Sequence, residues 1–310
     1  MTAAVGVVGG LDYGHSHLRV GIATMDGGVL AEQVEDIDTN ASPQAALALG
    51  SQLLRTLLDH TPAVQAATLR AVAVGLPSPI RPDTGLISVN NILPNWVDTD
   101  PGRTLGELLH CPVIVDNDCN LAALAETSLS GSHDHDLIYI KASSGIGAGL
   151  VLNGELYRSS SGLAGEIGHV AVAGRHALCR CGSRGCLESV CSLNSVITDL
   201  HHLHPGLHTA AQLVALAHDR DAATLRAVAD AGALVGETLA GLCNVLAPRS
   251  VVVGGELAQT GESFIEPLRR ALHRHTQTML ASDIAVRQAT FGVRNELVGA
   301  LRLAIDHAQI

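Results

Sequence analysis

Between Glu166 and Glu188 the chain reads EIGHVAVAGRHALCRCGSRGCLE, which brings His169, Cys179, Cys181 and Cys186 into one short segment. One imidazole and three soft thiolates are the ligand set of a closed, tetrahedral structural zinc site. Gly182 and Gly185 lie between the last two cysteines, where a backbone turning tightly around a metal needs φ values closed to most residues. The competing reading is a loop of buried thiols that binds nothing, since free cysteine buries readily. C-x-C-x4-C with a histidine ten residues upstream favours the metal. Glu166, one helical turn before His169, and Glu188, two residues after Cys186, would then be held beside it. A metal-ordered loop that carries two carboxylates is a way to build a polar binding site.

Three glycine-bearing turns each follow an apolar run: Asp12-Tyr13-Gly14-His15-Ser16, Ser143-Ser144-Gly145-Ile146-Gly147 and Gly254-Gly255. Backbone N–H groups at such turns form anion nests that suit a polyphosphate, although a glycine after a strand is more often only a turn. Neither GxxxxGK[ST] nor GxGxxG is present, which excludes a P-loop and a dinucleotide fingerprint. The segment VDNDCN sets Asn117 and Asp118 just after a buried strand. A carboxylate at the C-terminal end of a strand points into the crevice where ligands bind in α/β folds. Phosphoryl transfer to a hydroxyl needs such a group to orient the nucleophile and accept its proton. The other role open to Asp118 is N-cap of the helix that follows; Asp116 reads as the structural carboxylate of the pair.

The elements that must position these groups follow from patterning. Val5–Val8, Leu18–Ala23 and Val29–Val34 read as short strands joined by Gly-rich turns. Ala45–Leu58 has helical periodicity, with Leu47, Leu54 and Leu58 along one face. Ala71–Leu76 is a strand that ends in Pro77-Ser78-Pro79, followed by a short helix over Thr104–Leu109, a strand over Val113–Val115 and a helix over Asn120–Leu129. Leu137–Lys141, Ala148–Leu152 and Ser250–Val253 read as strands; Ser192–Leu246, Glu262–Met279 and Asn295–Ala308 read as helical. Strands alternating with helices imply an α/β fold. The expected division is a first lobe of residues 1–118 plus 295–310, onto which the last helix packs back, and a second lobe of 119–294.

Composition narrows the function. Across 310 residues, aromatics are 2% against 47% hydrophobic residues, so the core must be built from Ala, Val, Leu and Ile. The net charge is −11 and there is no dense Lys/Arg stripe, which argues against direct nucleic-acid binding. No apolar run approaches a membrane span, and the N-terminus lacks the features of a signal peptide. Seven cysteines, an odd number with three committed to the metal, suit a reducing compartment. The expectation is a cytoplasmic protein with no membrane partner.

These motifs together resemble the ROK family of sugar kinases and sugar-sensing repressors. The resemblance runs over essentially the whole chain: D-x-G at Asp12, G-x-P-x-P at Gly75–Pro79, N-D-x-N at Asn117–Asn120, E-x-G-H at Glu166–His169, C-x-C-G-x-x-G-C-L-E at Cys179–Glu188 and V-x-G-G at Val252–Gly255. It implies the two-lobed actin-like ATPase (ribonuclease H-like) fold. It also implies ATP with Mg²⁺, a structural Zn²⁺, a small-molecule sugar as ligand and a homodimer. Position by position, it makes Asp118 the catalytic base facing a sugar hydroxyl. Asn117, Glu166, His169 and Glu188 would hold the other hydroxyls, with His169 serving the zinc as well. Asp12, Gly14 and Ser16 would hold the Mg²⁺–phosphate group, Ser144, Gly145 and Gly147 would contact phosphates, and Gly254 and Gly255 would border the adenosine.

The chain departs from the family kinases where they carry D-x-G-G-T and G-T-G. His15 stands where a glycine lets the backbone approach phosphate, and Ser78 replaces a glycine in G-x-P-x-P. These spellings resemble the repressor branch, whose members begin with a winged helix-turn-helix; this sequence begins directly at the first strand of the ligand domain. The implied function is ATP-dependent phosphorylation of a hexose or hexosamine. The alternative is a non-catalytic sugar-binding regulator without the helix-turn-helix. A purely structural zinc protein would leave Asn117, Asp118 and the glycine loops without a purpose.

Overall fold

The computed structural model describes residues 6–64, 67–89, 91–127 and 135–309. The chain opens with β1 (Gly6–Tyr13), β2 (His17–Thr24), β3 (Val29–Asp36), α1 (Pro43–His60), β4 (Thr68–Leu76), α2 (Pro101–Leu109), β5 (Val113–Asn117) and α3 (Asp118–Thr127). It continues with β6 (Leu137–Ala142), β7 (Ile146–Leu152), β8 (Glu155–Tyr157), α4 (Glu188–Cys191), α5 (Leu193–Leu200), α6 (Ala210–His218) and α7 (Ala222–Leu246). It closes with β9 (Ser250–Gly254), α8 (Glu262–His275), α9 (Thr278–Ala281), β10 (Ala285–Gln288) and α10 (Asn295–Ala308). Two compact units form: Met1–Ser130, Arg158–Ala164 and Arg294–Ile310 in the first, and Gly131–Tyr157 with Gly165–Val293 in the second. No described helix is long and apolar enough to cross a membrane.

The first unit is a mixed sheet in the order β3-β2-β1-β4-β5, antiparallel on the β3 side and parallel from β1 to β5. Strand alternation splits its core in two. Val72, Val74 and Leu76 of β4 face the layer of Leu47, Leu54, Tyr13 and Trp96. Ala71 and Ala73, on the opposite face, take Leu297, Ala300, Leu301 and Ala304 of α10. Small residues set the depth of that second contact: a Cβ on Gly10 would lie 3.0 Å from Leu297 and Leu301, and one on Gly299 would lie 1.7 Å from the Leu121 carbonyl oxygen. The C-terminal helix therefore seats on the first sheet and against α3, where Asn295 Nδ2 donates to Ala122 O at 3.3 Å and Glu126 Oε1 at 2.9 Å. The first unit thus keeps α3, which the sequence pattern placed at the start of the second.

The second unit carries the sheet β10-β9-β6-β7-β8. Its long α7 packs on α8 through Gly232 and Gly236, where added Cβ atoms would stand 2.3 Å from Phe264 O and 2.1 Å from Leu268 O. Some boundaries move from their expected places. β1 runs on to Tyr13, so Asp12 lies in a strand, paired with Arg19 and Gly75, and the turn itself is only Gly14–Ser16. β7 starts at Ile146, so Gly147 sits in the ladder opposite Lys141 and the hairpin turn is Ser143–Gly145. The helix expected over Glu262–Met279 breaks after His275, because Gln277 is extended and its side chain caps α9 by accepting from Leu280 N at 3.0 Å. β8 and β10 are short, largely exposed strands without apolar alternation, which hid them in the sequence. Val5, Ser128 and Leu129, expected in a strand and a helix, lie outside the described residues.

Candidate functional site

In the first unit, Asp12, Gly75 and Asp116 are register partners across β1, β4 and β5, so the two carboxylates project from the same face on either side of a glycine. Their surroundings separate them. Asp116 is consumed by structure: Arg158 Nε donates to its Oδ2 at 2.7 Å, and Asn120 Nδ2 and Asn117 N donate to Oδ1 at 2.8 Å each. Asp12 is 1% exposed; its Oδ2 meets His17 Nε2 at 3.4 Å, while Oδ1 is buried with no hydrogen-bond partner. A buried carboxylate oxygen without a donor is costly unless something else satisfies it. It suits a hard cation, and this is the observation by which the chain fits a Mg²⁺–phosphate group.

β5 passes into α3 with no intervening loop, which puts Asp118 in the first turn of a helix, a favourable place for an anion. The capping is done by Asn117, whose Oδ1 accepts from Cys119 N at 2.9 Å and Asn120 N at 3.2 Å. Its Nδ2 donates to Ser78 O at 3.2 Å and to Asp118 Oδ1 at 3.0 Å. All four hydrogen-bonding positions of the Asn117 amide are thus engaged within the protein, and two of its neighbours, Ser78 and Asp118, are fixed by it. Asp118, buried with 5% exposure, shares the capping: its Oδ1 also accepts from Cys119 N at 2.8 Å, while the Asn117 amide orients it.

The Gly14–Ser16 turn of this unit is anchored by Tyr13, Trp96 and Thr39. Tyr13 packs edge-on to Trp96 with ring centroids 5.7 Å apart, and Trp96 Nε1 donates to Thr39 O at 2.8 Å. Thr39 in turn donates through Oγ1 to Gly14 O, and Thr39 N to His15 O at 3.3 Å. The imidazole that covers Gly14 belongs to His17: a Cβ at Gly14 would fall 2.2 Å from His17 Cε1. His15 drew attention in the sequence because it replaces a glycine. His17 escaped because a histidine at the start of a strand carries no sign of which way its ring turns. Ser16 is exposed, at the tip of the turn.

In the second unit, ligand-type atoms of His169, Cys179, Cys181 and Cys186 all lie within 4.8 Å of one another. Cys181 Sγ and Cys186 Sγ are 3.7 Å apart, and Cys179 Sγ is 3.6 Å from His169 Nδ1. A tetrahedron with metal–sulfur bonds of about 2.3 Å has edges of about 3.7 Å, whereas a disulfide brings sulfurs to about 2.05 Å. The donor set and its spacing fit a four-coordinate zinc. Gly185 closes this loop at φ +72°, with its missing Cβ 2.3 Å from Arg175 O. The other imidazole nitrogen, His169 Nε2, stands 3.5 Å from Glu166 Oε2, the carboxylate–histidine pairing that orients a metal ligand.

Glu188 begins α4 and reaches back to the 143–146 turn, where its Oε2 accepts from Ile146 N at 3.1 Å. Arg180, between Cys179 and Cys181, grips the same carboxylate, a partner that the sequence pattern did not reveal. Gly145 lies beneath both groups; Ser144 is at the turn's edge, partly exposed. Gly254 ends β9 and abuts the Tyr139 hydroxyl, and Gly255 just after it, at φ +84°, lies over the Ala142 backbone. Both positions thus have a packing reason to be glycine.

Two mixed sheets with helices, one carrying a cysteine loop, define an α/β protein of the actin-like ATPase class. The ROK family model matches residues 8–307, and the chain belongs to the ROK family. It is 29% identical over 309 residues to the glucokinase of Halalkalibacterium halodurans, covering 94% of this chain and 92% of that one. It is 24% identical over 299 residues to the xylose repressor of Bacillus subtilis, covering 96% of this chain and 77% of the repressor. A ROK family glucokinase from Streptomyces griseus, solved in complex with glucose and AMPPNP, superposes with a TM-score of 0.84 at 22% identity, over 97% of this chain and 100% of that one. Sugar kinases and repressors thus both stand among its relatives.

Proposed function

We propose that this chain is an ATP- and Mg²⁺-dependent kinase of a hexose or hexosamine. The observation that carries the reading is Asp118: a buried carboxylate in the first turn of α3, oriented through Oδ1 by the Asn117 amide and the Cys119 N–H. In the proposed reaction the sugar hydroxyl oxygen attacks the γ-phosphorus and its proton passes to Asp118. The bond from phosphorus to the bridging oxygen breaks, and ADP leaves. Asn117 acts by holding Asp118. Glu166, His169 and Glu188 read sugar hydroxyls through charge-assisted hydrogen bonds. Asp12, with Oδ1 open, would hold Mg²⁺, which supplies charge neutralisation on the phosphates. Gly14, Ser16, Ser144, Gly145 and Gly147 are assigned to the phosphates, and Gly254 and Gly255 to the nucleoside. His169, Cys179, Cys181 and Cys186 would hold a structural Zn²⁺. The glucokinase relative and the nucleotide-bound neighbour support this assignment.

A second reading, a sugar-binding regulator without catalysis, is favoured by one feature: the His17 ring lies on Gly14 and against Asp12, where a kinase needs room. A coupled ADP-release assay across glucose, mannose, N-acetylglucosamine and N-acetylmannosamine separates the two. ADP release with one of these sugars, reduced at least about a hundredfold in Asp118→Asn with sugar affinity nearly intact, is the expected result. Tight sugar binding with no turnover of any sugar selects the regulator.

A further inference from the structure

Arg180 comes from the cysteine loop, between Cys179 and Cys181, yet its guanidinium points at a carboxylate assigned to the ligand. Its Nε lies 2.9 Å from Glu188 Oε1 and its Nη2 donates to Oε2 at 3.1 Å, a side-on fork. With Ile146 N also on Oε2, the carboxylate holds three donors and has about one acceptor position left. A Cβ on Gly145 would stand 3.0 Å from Glu188 Oε2 and 3.1 Å from Arg180 Nη2, so the ion pair lies directly on the 143–146 turn. The Glu188 side chain is 10% exposed and that of Arg180 36%, so the arginine is the solvent-facing half.

We infer that Arg180 is a positioning and specificity-determining residue, which fixes Glu188 on the turn and presents its own remaining N–H groups beside it. A lone carboxylate accepts and so reads a hydroxyl as a donor. The Arg180–Glu188 pair leaves Glu188 about one position for a hydroxyl and adds donors beside it, so the ligand group next to that hydroxyl is an acceptor oxygen: the carbonyl of an acylamino sugar or the carboxylate of a sugar acid. The ligand class rests on the sugar-binding reading above; the clamp does not.

Two measurements test this on the full chain. Hydrogen exchange of the 143–147 segment, with no sugar added, should speed up at least fivefold in Arg180→Ala, and Arg180→Ala should add nothing further in a Glu188→Ala background. Arg180→Lys, which keeps the charge but cannot form the fork, should fall in between. Unchanged exchange in Arg180→Ala, or additive effects in the double variant, would overturn the clamp. Calorimetry with glucose, N-acetylglucosamine and glucuronate should show at least tenfold tighter binding of an acceptor-bearing sugar than of glucose, with the preference lost in Arg180→Ala. A preference confined to glucuronate identifies charge as the source, and one confined to N-acetylglucosamine identifies the acyl carbonyl. Glucose bound as well as either overturns the ligand class and leaves the sugar-binding reading standing. Failure of all three sugars to bind overturns both, while exchange still decides the clamp.

Discussion

An imidazole resting on a glycine beside a carboxylate is a small arrangement with a large effect on what that carboxylate can hold. His17 is half-buried and reaches only one oxygen of Asp12, leaving the other without a donor. Removing the ring should free the first oxygen and uncover Gly14. His17→Ala is therefore expected to tighten Mg²⁺–nucleotide binding by about 1 kcal/mol, roughly fivefold, the scale of a partly exposed ion pair. Calorimetric titration of MgATP into wild type and variant checks this, and weaker binding in His17→Ala would make the imidazole a phosphate ligand instead. Residues at this scale were unevenly legible. His169 and the cysteines announce themselves because residues able to hold a metal are of few types and must lie at close spacing. His17 and Arg180 do not, because their parts depend on side-chain torsions and on contacts that no local pattern encodes. Asn117 was legible as a site residue, but its full set of hydrogen bonds is visible only once Ser78 and α3 are in place.

At the scale of elements, the cysteine loop has turns and isolated bridges in place of regular secondary structure. Residues 170–187 form no regular helix or strand, only isolated bridges of Ala171 with Cys186 and Leu178 with Arg184 and turn hydrogen bonds such as Val172 N to Gly185 O at 2.8 Å and Cys179 N to Ser183 O at 2.9 Å. Metal binding of order 10 kcal/mol coupled to its folding would add to the order these bonds give. Chelation, or Cys181→Ser, should remove metal, lower the melting temperature and speed proteolysis at 170–187, measured by metal analysis, thermal unfolding and limited digestion. Loss of metal with unchanged melting and digestion would deny the metal its structural role. Two other cysteines stand apart from this chemistry: burial pushes the thiols of Cys191, next to Glu188, and Cys243 up to about 12, so both stay protonated and inert at neutral pH. Strands built on a continuous apolar run, such as β4, were readable from sequence; β8 and β10 were not, because exposed edge strands owe their form to a neighbour rather than to their own residues.

Over the whole molecule, the two-sheet plan was readable, but the path of the chain through it was not. Arg158–Ala164 returns to the first unit through contacts that no periodicity signals: Ser88 Oγ donates to Ser161 O at 3.0 Å, and Gly162 lies against the Ile80 backbone. The first unit also depends on α10, whose leucines cover Ala71 and Ala73. Deleting residues 295–310 should therefore expose an apolar sheet face and send the protein into inclusion bodies or ANS-binding aggregates, while soluble truncated protein with native melting would refute this dependence. The same feature orders events on the ribosome. The sheet that begins the chain lacks its second covering layer until the last helix emerges, after the whole second unit has been made. At about 5–20 residues per second that interval is roughly 10–30 s. During synthesis the N-terminal sheet is thus a waiting template with one apolar face open. The terminal helix is the part that ends the wait, and the nascent protein should have most use for a chaperone in that interval.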